Sequence, residues 1–190
     1  VIAEVEVLVC GGGAAGTAAA IAAARAGART MLIERYGCLG GLATGGLVIV
    51  IPPLLRDGER VIGGIGQETI ERLVARGEAS YRNDASLSSA FDPEALKRLS
   101  DEMCLEAGVQ LRLHCWVVDV FGERGRPEGV IIESKAGRQA IRARQIVDCT
   151  GDGDVAARAG AEWERDDKFI GMPFRIINVD LDRWMEATRS

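Results

Sequence analysis

The stretch VLVCGGGAAGTAAA, residues 7–20, decides the fold class of this chain of 190 residues. Residues 4–10 alternate and then become fully apolar, which is typical of a strand that enters a buried parallel sheet. The turn that follows has the spacing G-x-G-x-x-G, and residues 15–26 predict an alanine-rich helix. A second strand is predicted over residues 28–33. This order of strand, turn, helix and strand predicts an α/β fold that begins with a nucleotide-binding unit.

Each glycine of the turn has a separate physical role. Gly11 permits the tight turn, Gly13 lets the backbone approach a pyrophosphate, and Gly16 lets the helix pack closely against the sheet. The helix then presents unpaired N–H groups and the positive end of its dipole to the phosphates. Glu34 directly follows the second strand, where a carboxylate accepts hydrogen bonds from the adenosine ribose hydroxyls. The turn is therefore predicted to bind a dinucleotide.

The residues at the ribose position bear on which dinucleotide is bound. An arginine at this position, such as Arg35, can receive the 2′-phosphate of NADP. The carboxylate of Glu34 would instead repel that phosphate. We therefore expect a free ribose 2′-hydroxyl, which leaves NAD and FAD as the candidates.

Two stretches further along the chain favour FAD. In a plain NAD domain a helix would soon follow the second strand, but residues 35–46, RYGCLGGLATGG, contain too many glycines for one. Such a loop can lay bare backbone against the ribityl chain and flavin ring; the alternative is a flexible surface loop. Residues 144–149 predict another strand, which runs into TGDGD at residues 150–154. There an aspartate can accept bonds from ribityl hydroxyls, and either Asp152 or Asp154 can cap the following helix.

These motifs occur together with VIGGIGQETIERL, FDPEALKRLSDEMCLEAGVQLRLHCWVVDV and IVDCTGDGDVAARAGAEWE, in order along nearly the whole chain. In them the sequence resembles the FAD-dependent oxidoreductases whose nucleotide-binding fold is shared with the fumarate reductase and succinate dehydrogenase flavoproteins. The resemblance implies a Rossmann-like FAD-binding domain with a parallel sheet, a β-meander and the start of a truncated substrate domain. It also implies FAD as the cofactor of hydride or electron transfer.

The resemblance assigns roles to individual residues. The FAD pyrophosphate is assigned to the glycine-rich turn, namely Gly11, Gly13, Ala14, Ala15 and Gly16. The adenosine ribose is assigned to Glu34, with Arg35 beside it, and the adenine to the backbone of Val117. The flavin end is assigned to Gly40, Gly41 and Thr44, and Asp152 is assigned to ribityl hydroxyls or to water on the pyrophosphate side. Thr150 and Gly151 form the turn that lets the backbone approach the ligand there. No residue is assigned a catalytic role.

The remaining segments complete the predicted organisation. Residues 51–91 form an excursion with a helix over 66–76, and Asp92 caps a second helix from Pro93 to Ala107. A β-meander beside the parallel sheet is predicted from strands near 111–121, 129–134 and 138–143. The FAD-binding domain is predicted over residues 1–160. Residues 161–190 begin an incomplete substrate or cap domain, with a strand over 173–179 and then a helix.

Composition and charge argue against several classes of function. A net charge of −5 without a basic run leaves no electrostatic footprint for nucleic acid. The two long uncharged stretches are rich in glycine, so no membrane span is expected. Five cysteines without a CxxC pair suit a reducing compartment, and we expect a cytoplasmic protein. The one histidine, His114, is expected to be packed in a strand, and no metal site is expected.

Three functions remain open at this point. The leading hypothesis is the FAD-binding portion of a flavin-dependent oxidoreductase that acts on an unidentified small-molecule substrate. In a split enzyme, a second chain would carry the missing substrate domain. The alternatives are an NAD-binding relative of the thiazole synthases and a non-catalytic flavin-binding subunit.

Overall fold

The computed structural model describes residues 1–83, 87–164 and 171–188. The helices are α1 (Ala14–Arg25), α2 (Gly64–Ala75), α3 (Pro93–Glu106), α4 (Asp154–Arg158) and α5 (Leu181–Thr188). The strands are β1 (Ala3–Cys10), β2 (Thr30–Ile33), β3 (Val50–Ile51), β4 (Leu55–Arg56), β5 (Glu59–Arg60), β6 (Ala79–Asn83), β7 (Ser88–Phe91), β8 (Gln110–Arg112), β9 (Trp116–Glu123), β10 (Arg126–Ser134) and β11 (Gly137–Asp148). A 3₁₀ turn spans Gly41–Ala43.

The main sheet has six strands in the order β8-β2-β1-β11-β10-β9. The first four run parallel, and β1 lies between β2 and β11 with Val9 opposite both Leu32 and Val147. The last two strands are antiparallel to their neighbours. The predicted parallel sheet and the predicted α/β class are confirmed. The motif of residues 7–20 begins on β1, between β2 and β11, and continues into α1.

Strand β11 joins the two parts of this sheet, and here the prediction needs correction. Residues 138–143 and 144–149 were expected to be separate strands, but one strand covers Gly137–Asp148. Its first half pairs with β10 through residues 137–142, and its second half pairs with β1 through residues 141–148. The meander is therefore continuous with the parallel sheet.

Two buried clusters make the molecule three layers deep. On one side of the sheet, Val9 and Leu32 pack with side chains of α1, α2 and α3, including Ile21, Leu73 and Leu99. On the other side lie residues of β1 and β2 against the meander: Leu8, Met31, Ile33, Val117, Val130 and Ile132. Successive side chains of a strand point to opposite faces of the sheet, so neighbouring residues of β1 contribute to the two different clusters.

The excursion of residues 51–91 is part of the helical layer. Helix α2 buries Ile70 and Leu73, while β3, β7 and β6 form a small antiparallel sheet. Helix α3 begins as predicted, because Asp92 Oδ1 accepts a hydrogen bond from Glu94 N at 2.8 Å and Pro93 occupies the first position. The helix ends at Glu106, one residue before its predicted end.

The predicted strand over residues 111–121 is wrong, because the chain breaks between β8 and β9. His114 has a φ of +54° there, a left-handed conformation that interrupts the extended backbone, and its side chain is exposed. Strand β8 pairs with β2, whereas β9 pairs with β10 at the opposite end of the strand order. The break at His114 turns the chain from one part of the sheet to the other.

The C-terminal segment also differs from expectation. Residues 171–180 contain no strand, so the prediction over 173–179 is wrong. Their side chains are exposed, among them Phe174 and Ile177, and an isolated extended segment has no ladder to stabilise it. The helix predicted after them is present as α5. Among the helices that the structure describes, none is long and apolar enough to cross a membrane.

Candidate functional site

Three loops meet at the carboxyl ends of β1, β2 and β11, which is where open parallel sheets bind ligands. Gly11 follows β1 with a φ of +102°, and a Cβ there would lie 2.2 Å from the carbonyl oxygen of Cys149. Gly12 N donates to the carboxylate of Glu34 at the end of β2. The structure thus brings together the first motif, the acid after β2 and the TGDGD turn, which are far apart in sequence.

The close packing predicted for Gly11 and Gly16 is present, and the pyrophosphate role of Gly13 stays a prediction. A Cβ on Gly16 would lie 1.8 Å from the carbonyl oxygen of Gly11, so α1 approaches the turn more closely than any side chain would permit. A Cβ on Gly13 would meet nothing within 4 Å, so this glycine faces open space. Gly13 is also the N-cap of α1, and the next two residues, Ala14 and Ala15, are exposed. No side chain caps the N-terminus of α1, so its first N–H groups are available as donors to an anion.

Glu34 is a buried acid that holds two loops. It is 7% exposed, and its Oε2 accepts a hydrogen bond from Gly12 N at 2.6 Å while its Oε1 accepts one from Tyr36 N at 2.9 Å. A carboxylate offers about four acceptor positions, so two remain for other donors. Glu34 therefore fixes the dinucleotide turn and keeps capacity for ribose hydroxyls.

The glycine-rich loop after β2 lies against the dinucleotide turn. Gly40 N donates to Gly12 O at 2.8 Å, and Gly13 and Gly40 form an isolated parallel bridge. A Cβ on Gly41 would lie 3.0 Å from the Cα of Gly13, which leaves bare backbone where the two loops meet. Thr44 is 1% exposed, and its hydroxyl donates to Leu39 O at 2.7 Å. The Thr44 side chain thus shapes the loop from inside.

Asp148, at the end of β11, organises the TGDGD turn and was missed in the sequence. Its Oδ1 accepts from the N and Oγ1 of Thr150, and its Oδ2 accepts from Val155 N and Ala156 N at 3.0 and 2.9 Å. The Thr150 hydroxyl in turn accepts from Asp154 N. Burial acts to raise the pKa of Asp148, but these hydrogen bonds outweigh burial and hold that pKa below its ordinary value.

The expectation that Asp152 or Asp154 caps α4 is therefore wrong, since Asp148 and Thr150 take its first N–H groups. Gly153 is the N-cap residue, and Asp154 is already helical. Because the first N–H groups of α4 bond to Asp148 and Thr150, they are not available to bind an anion. Gly151, with a φ of +96°, and Asp152 remain exposed beside the dinucleotide turn. An acid at the end of a strand, just before a turn and a short helix, is the signal that could have identified Asp148.

The chain around the break at His114 runs beside the residues after β2. Cys115 N donates to Glu34 O at 2.9 Å, and His114 N donates to Tyr36 O at 3.1 Å. Val117 lies just beyond, opposite Ile132 of β10, and its side chain is buried in the core. The Arg35 guanidinium lies 4.8 Å from the ring centroid of Tyr36 and 5.9 Å from that of Trp116. Two of these neighbours, Tyr36 and Trp116, were not singled out in the sequence.

Four of the cysteines, Cys10, Cys104, Cys115 and Cys149, pack in the two buried clusters. Burial raises the pKa of the Cys10, Cys115 and Cys149 thiols, and it raises the pKa of Cys104 on α3 to about 12. A thiol with a raised pKa stays protonated and is a poor nucleophile. Among the described residues, none of the five cysteines forms a disulfide.

The arrangement fits a dinucleotide cofactor. A surface of backbone N–H donors lies at the N-terminus of α1, with open space at Gly13. Glu34 lies beside the same turn, with its Oε2 at 2.6 Å from Gly12 N. Bare backbone at Gly40 and Gly41 extends this surface on one side, and the residues after Glu34 extend it on the other.

Comparison with known proteins agrees with this geometry. Residues 6–188 match the family of FAD dependent oxidoreductases. Among solved structures, THI4 from Thermovibrio ammonificans is similar with a TM-score of 0.58 and 20% identity, over 82% of this chain and 61% of that one. A geranylgeranyl bacteriochlorophyll reductase-like protein from Thermoplasma acidophilum is similar with a TM-score of 0.61 and 17% identity, over 84% of this chain and 43% of that one.

A third similar structure is the p-nitrophenol 4-monooxygenase PnpA from Pseudomonas putida, with a TM-score of 0.60 and 14% identity, over 84% of this chain and 44% of that one. The chain thus spans between 43% and 61% of the length of these three proteins. At such identities the structures show the shared fold, while the family match covers nearly all of the sequence. The chain belongs to the FAD dependent oxidoreductase family.

Proposed function

We propose that this chain is the FAD-binding portion of an oxidoreductase that acts on a small-molecule substrate. The observation that carries the proposal is the donor surface at the N-terminus of α1, which Gly13 leaves open and Glu34 borders. A flavin supplies hydride or electron transfer when it is bound. The contribution of this chain is to bind, orient and partly shield that group.

Each part of the site has a binding role in this proposal. The N–H groups of Gly13, Ala14 and Ala15 receive the pyrophosphate, and the tight packing of Gly11 and Gly16 keeps those groups in line. Glu34 receives the adenosine ribose, with Arg35 at the surface beside it and the backbone of Val117 on the adenine side. Gly40, Gly41 and the Thr44 loop border the flavin end.

The TGDGD turn borders the same site from the side of β11. Gly151 leaves room for a ligand group, and the exposed carboxylate of Asp152 is available to ribityl hydroxyls. Thr150 acts through the turn, because its hydroxyl is bonded to Asp148 and to Asp154 N. The Asp148 network therefore sets the position of Asp152.

The part of the enzyme that recognises substrate is proposed to lie outside residues 1–160. Residues 171–188 expose large apolar side chains, including Met172, Phe174 and Trp184. Such a surface is typical of a segment that packs against further protein. We place the beginning of a substrate domain at residue 161, completed by a further part of the protein or by a second chain. A cytoplasmic location accords with five free cysteines among the described residues.

Release of the bound cofactor tests the proposal. The protein is expressed with ample FAD, purified, shown to be folded by circular dichroism, and heated, and the supernatant is examined by flavin absorption and mass spectrometry. The expected result is FAD at about one molecule per chain. NAD in its place, or folded protein without any bound dinucleotide, would contradict the proposal.

A redox assay separates an enzyme from a flavin carrier. The bound flavin is reduced by candidate donors in the purified chain and again in the presence of proteins that co-purify with it. Reduction that depends on donor structure supports an oxidoreductase. A flavin that no donor reduces under either condition would support a binding subunit without catalytic function.

A further inference from the structure

We propose that Trp116, together with Arg35, forms the surface that stacks on the adenine base of the bound dinucleotide. The inference rests on the proposed function and adds to it a recognition role for two side chains. Trp116 is 56% exposed at the first position of β9, although the adjoining Cys115 and Val117 are buried. An exposed tryptophan at the rim of a binding surface calls for an explanation, because this residue is among the costliest to leave in water.

The order of groups in the ligand points to the location of the base. The pyrophosphate is at the N-terminus of α1, and the ribose is at Glu34, whose carboxylate bonds to Gly12 N. In an adenine dinucleotide the base follows the ribose, so it lies beyond Glu34 on the side away from Gly13. The exposed side chains near Glu34 include Arg35, Tyr36 and Trp116, with His114 beside Tyr36.

The backbone holds this group of side chains in a fixed arrangement. Glu34 N donates to Arg112 O at 2.9 Å, Cys115 N donates to Glu34 O at 2.9 Å, and His114 N donates to Tyr36 O at 3.1 Å. Trp116 is thus the residue after a direct backbone partner of Glu34. These bonds place the indole within reach of any base attached to a ribose at Glu34.

Arg35 supports the stacking surface. Its guanidinium lies 4.8 Å from the Tyr36 ring and 5.9 Å from the Trp116 ring, distances at which a cation is attracted by an aromatic face. Guanidinium groups and indoles both stack on nucleobases. Held against the two rings, Arg35 presents a flat surface to a base, which is compatible with the free ribose 2′-hydroxyl expected beside Glu34.

The test uses adenosine diphosphate, which carries the base, ribose and pyrophosphate without the flavin. In the W163F/W184F double variant Trp116 is the one remaining tryptophan, and both replaced residues are exposed. Addition of adenosine diphosphate to the flavin-free chain is expected to quench Trp116 fluorescence in a saturable manner. Binding is measured in parallel by calorimetry, and the FAD affinity by flavin fluorescence.

Substitutions of Trp116 decide between stacking and a structural role. W116A is expected to lower the affinity for adenosine diphosphate and for FAD by about tenfold, the loss typical of one stacked base. W116F is expected to recover most of that affinity. Inorganic pyrophosphate, which contacts only the turn, should compete equally well in both proteins. The matched control is W184A, another exposed tryptophan, which should bind like the parent.

Other outcomes overturn the inference in distinguishable ways. Parent-like binding of adenosine diphosphate by W116A, or binding without any quenching of Trp116, would refute the stacking role and leave the proposed function standing. Equal losses for pyrophosphate and adenosine diphosphate in W116A would show a structural role only. Absence of both adenosine diphosphate and FAD binding by the folded parent would refute the proposed function and the stacking role together.

Discussion

Replacement of Glu34 by glutamine tests whether one buried carboxylate organises the adenine half of the site. The wild-type side chain accepts one hydrogen bond on each oxygen, from Gly12 N at 2.6 Å and from Tyr36 N at 2.9 Å. Glutamine has the same shape but only one acceptor oxygen. Its NH₂ group must face one of the two backbone donors, and that donor loses its partner.

The size of the effect follows from these two bonds. Glutamine is expected to keep its oxygen toward Gly12 N, the shorter and more deeply buried bond, and to turn its NH₂ toward Tyr36 N. The first bond weakens because its acceptor is no longer charged, and the second is lost. Together these changes cost about 2 kcal/mol of unfolding free energy. For a chain of this length that lowers the melting temperature by about 4–8 °C.

Thermal unfolding of the flavin-free protein measures this structural effect without a contribution from ligand binding. The control is E133Q, which removes the charge of an exposed acid paired with Arg138 at the surface and should change the free energy by less than about 0.5 kcal/mol. FAD titration then measures the loss of a ribose acceptor, which should be about tenfold in affinity. A melting temperature for E34Q equal to that of E133Q would refute the proposed role of Glu34.

Three further changes probe other parts of the fold. G16A places a Cβ where the Gly11 carbonyl oxygen lies 1.8 Å away, so α1 must shift, and the purified variant should carry little flavin absorption. D148N should remove the contribution of the Asp148 carboxylate to the free energy of unfolding, which depends on pH. Because the folded-state pKa of Asp148 is lowered, this contribution is complete above the unfolded-state pKa of about 3.9 and is lost as pH falls through the folded-state pKa. The melting temperatures of D148N and the parent should therefore differ most at neutral pH and approach each other as pH falls from about 4 through the folded-state pKa of Asp148; a constant difference would contradict this. L99A, at a side chain 0% exposed between the helices, should cost about 2–5 kcal/mol in urea unfolding.

The first motif could be predicted well because its determinants are local. Gly11 and Gly16 are required by contacts within the turn itself, and the helix and strand around them follow from apolar spacing in the same stretch. The start of α3 at Asp92 and Pro93 could be predicted equally well, since a capping side chain binds N–H groups only two or three residues away. Local hydrogen bonds and local sterics leave a pattern in sequence that needs no knowledge of the rest of the fold.

The errors fall where distant pairing decides the structure. Residues 111–121 form a nearly continuous β-prone run, yet the chain breaks at His114 because its two halves pair with different strands, β2 and β10. Residues 173–179 have strand propensity but no strand beside them, and they stay exposed. Strand propensity describes a fit to neighbours, and the neighbours are not visible in the local sequence.

Asp148 also forms contacts, with residues up to eight positions away, that could not be predicted from the local sequence and that shape the site. Its four hydrogen bonds connect β11 to Thr150 and to the first turn of α4, so the aspartates that follow are released from capping. Asp152 is exposed, and Gly11 brings the dinucleotide turn against Cys149, at the start of the same loop. On the opposite side, Glu34 ties Gly12 to the loop of Tyr36 in the same manner. At the ends of two parallel strands, the buried Glu34 and the partly buried Asp148 therefore hold the loops by their backbone N–H groups, while Arg35 and Asp152 in those loops remain exposed.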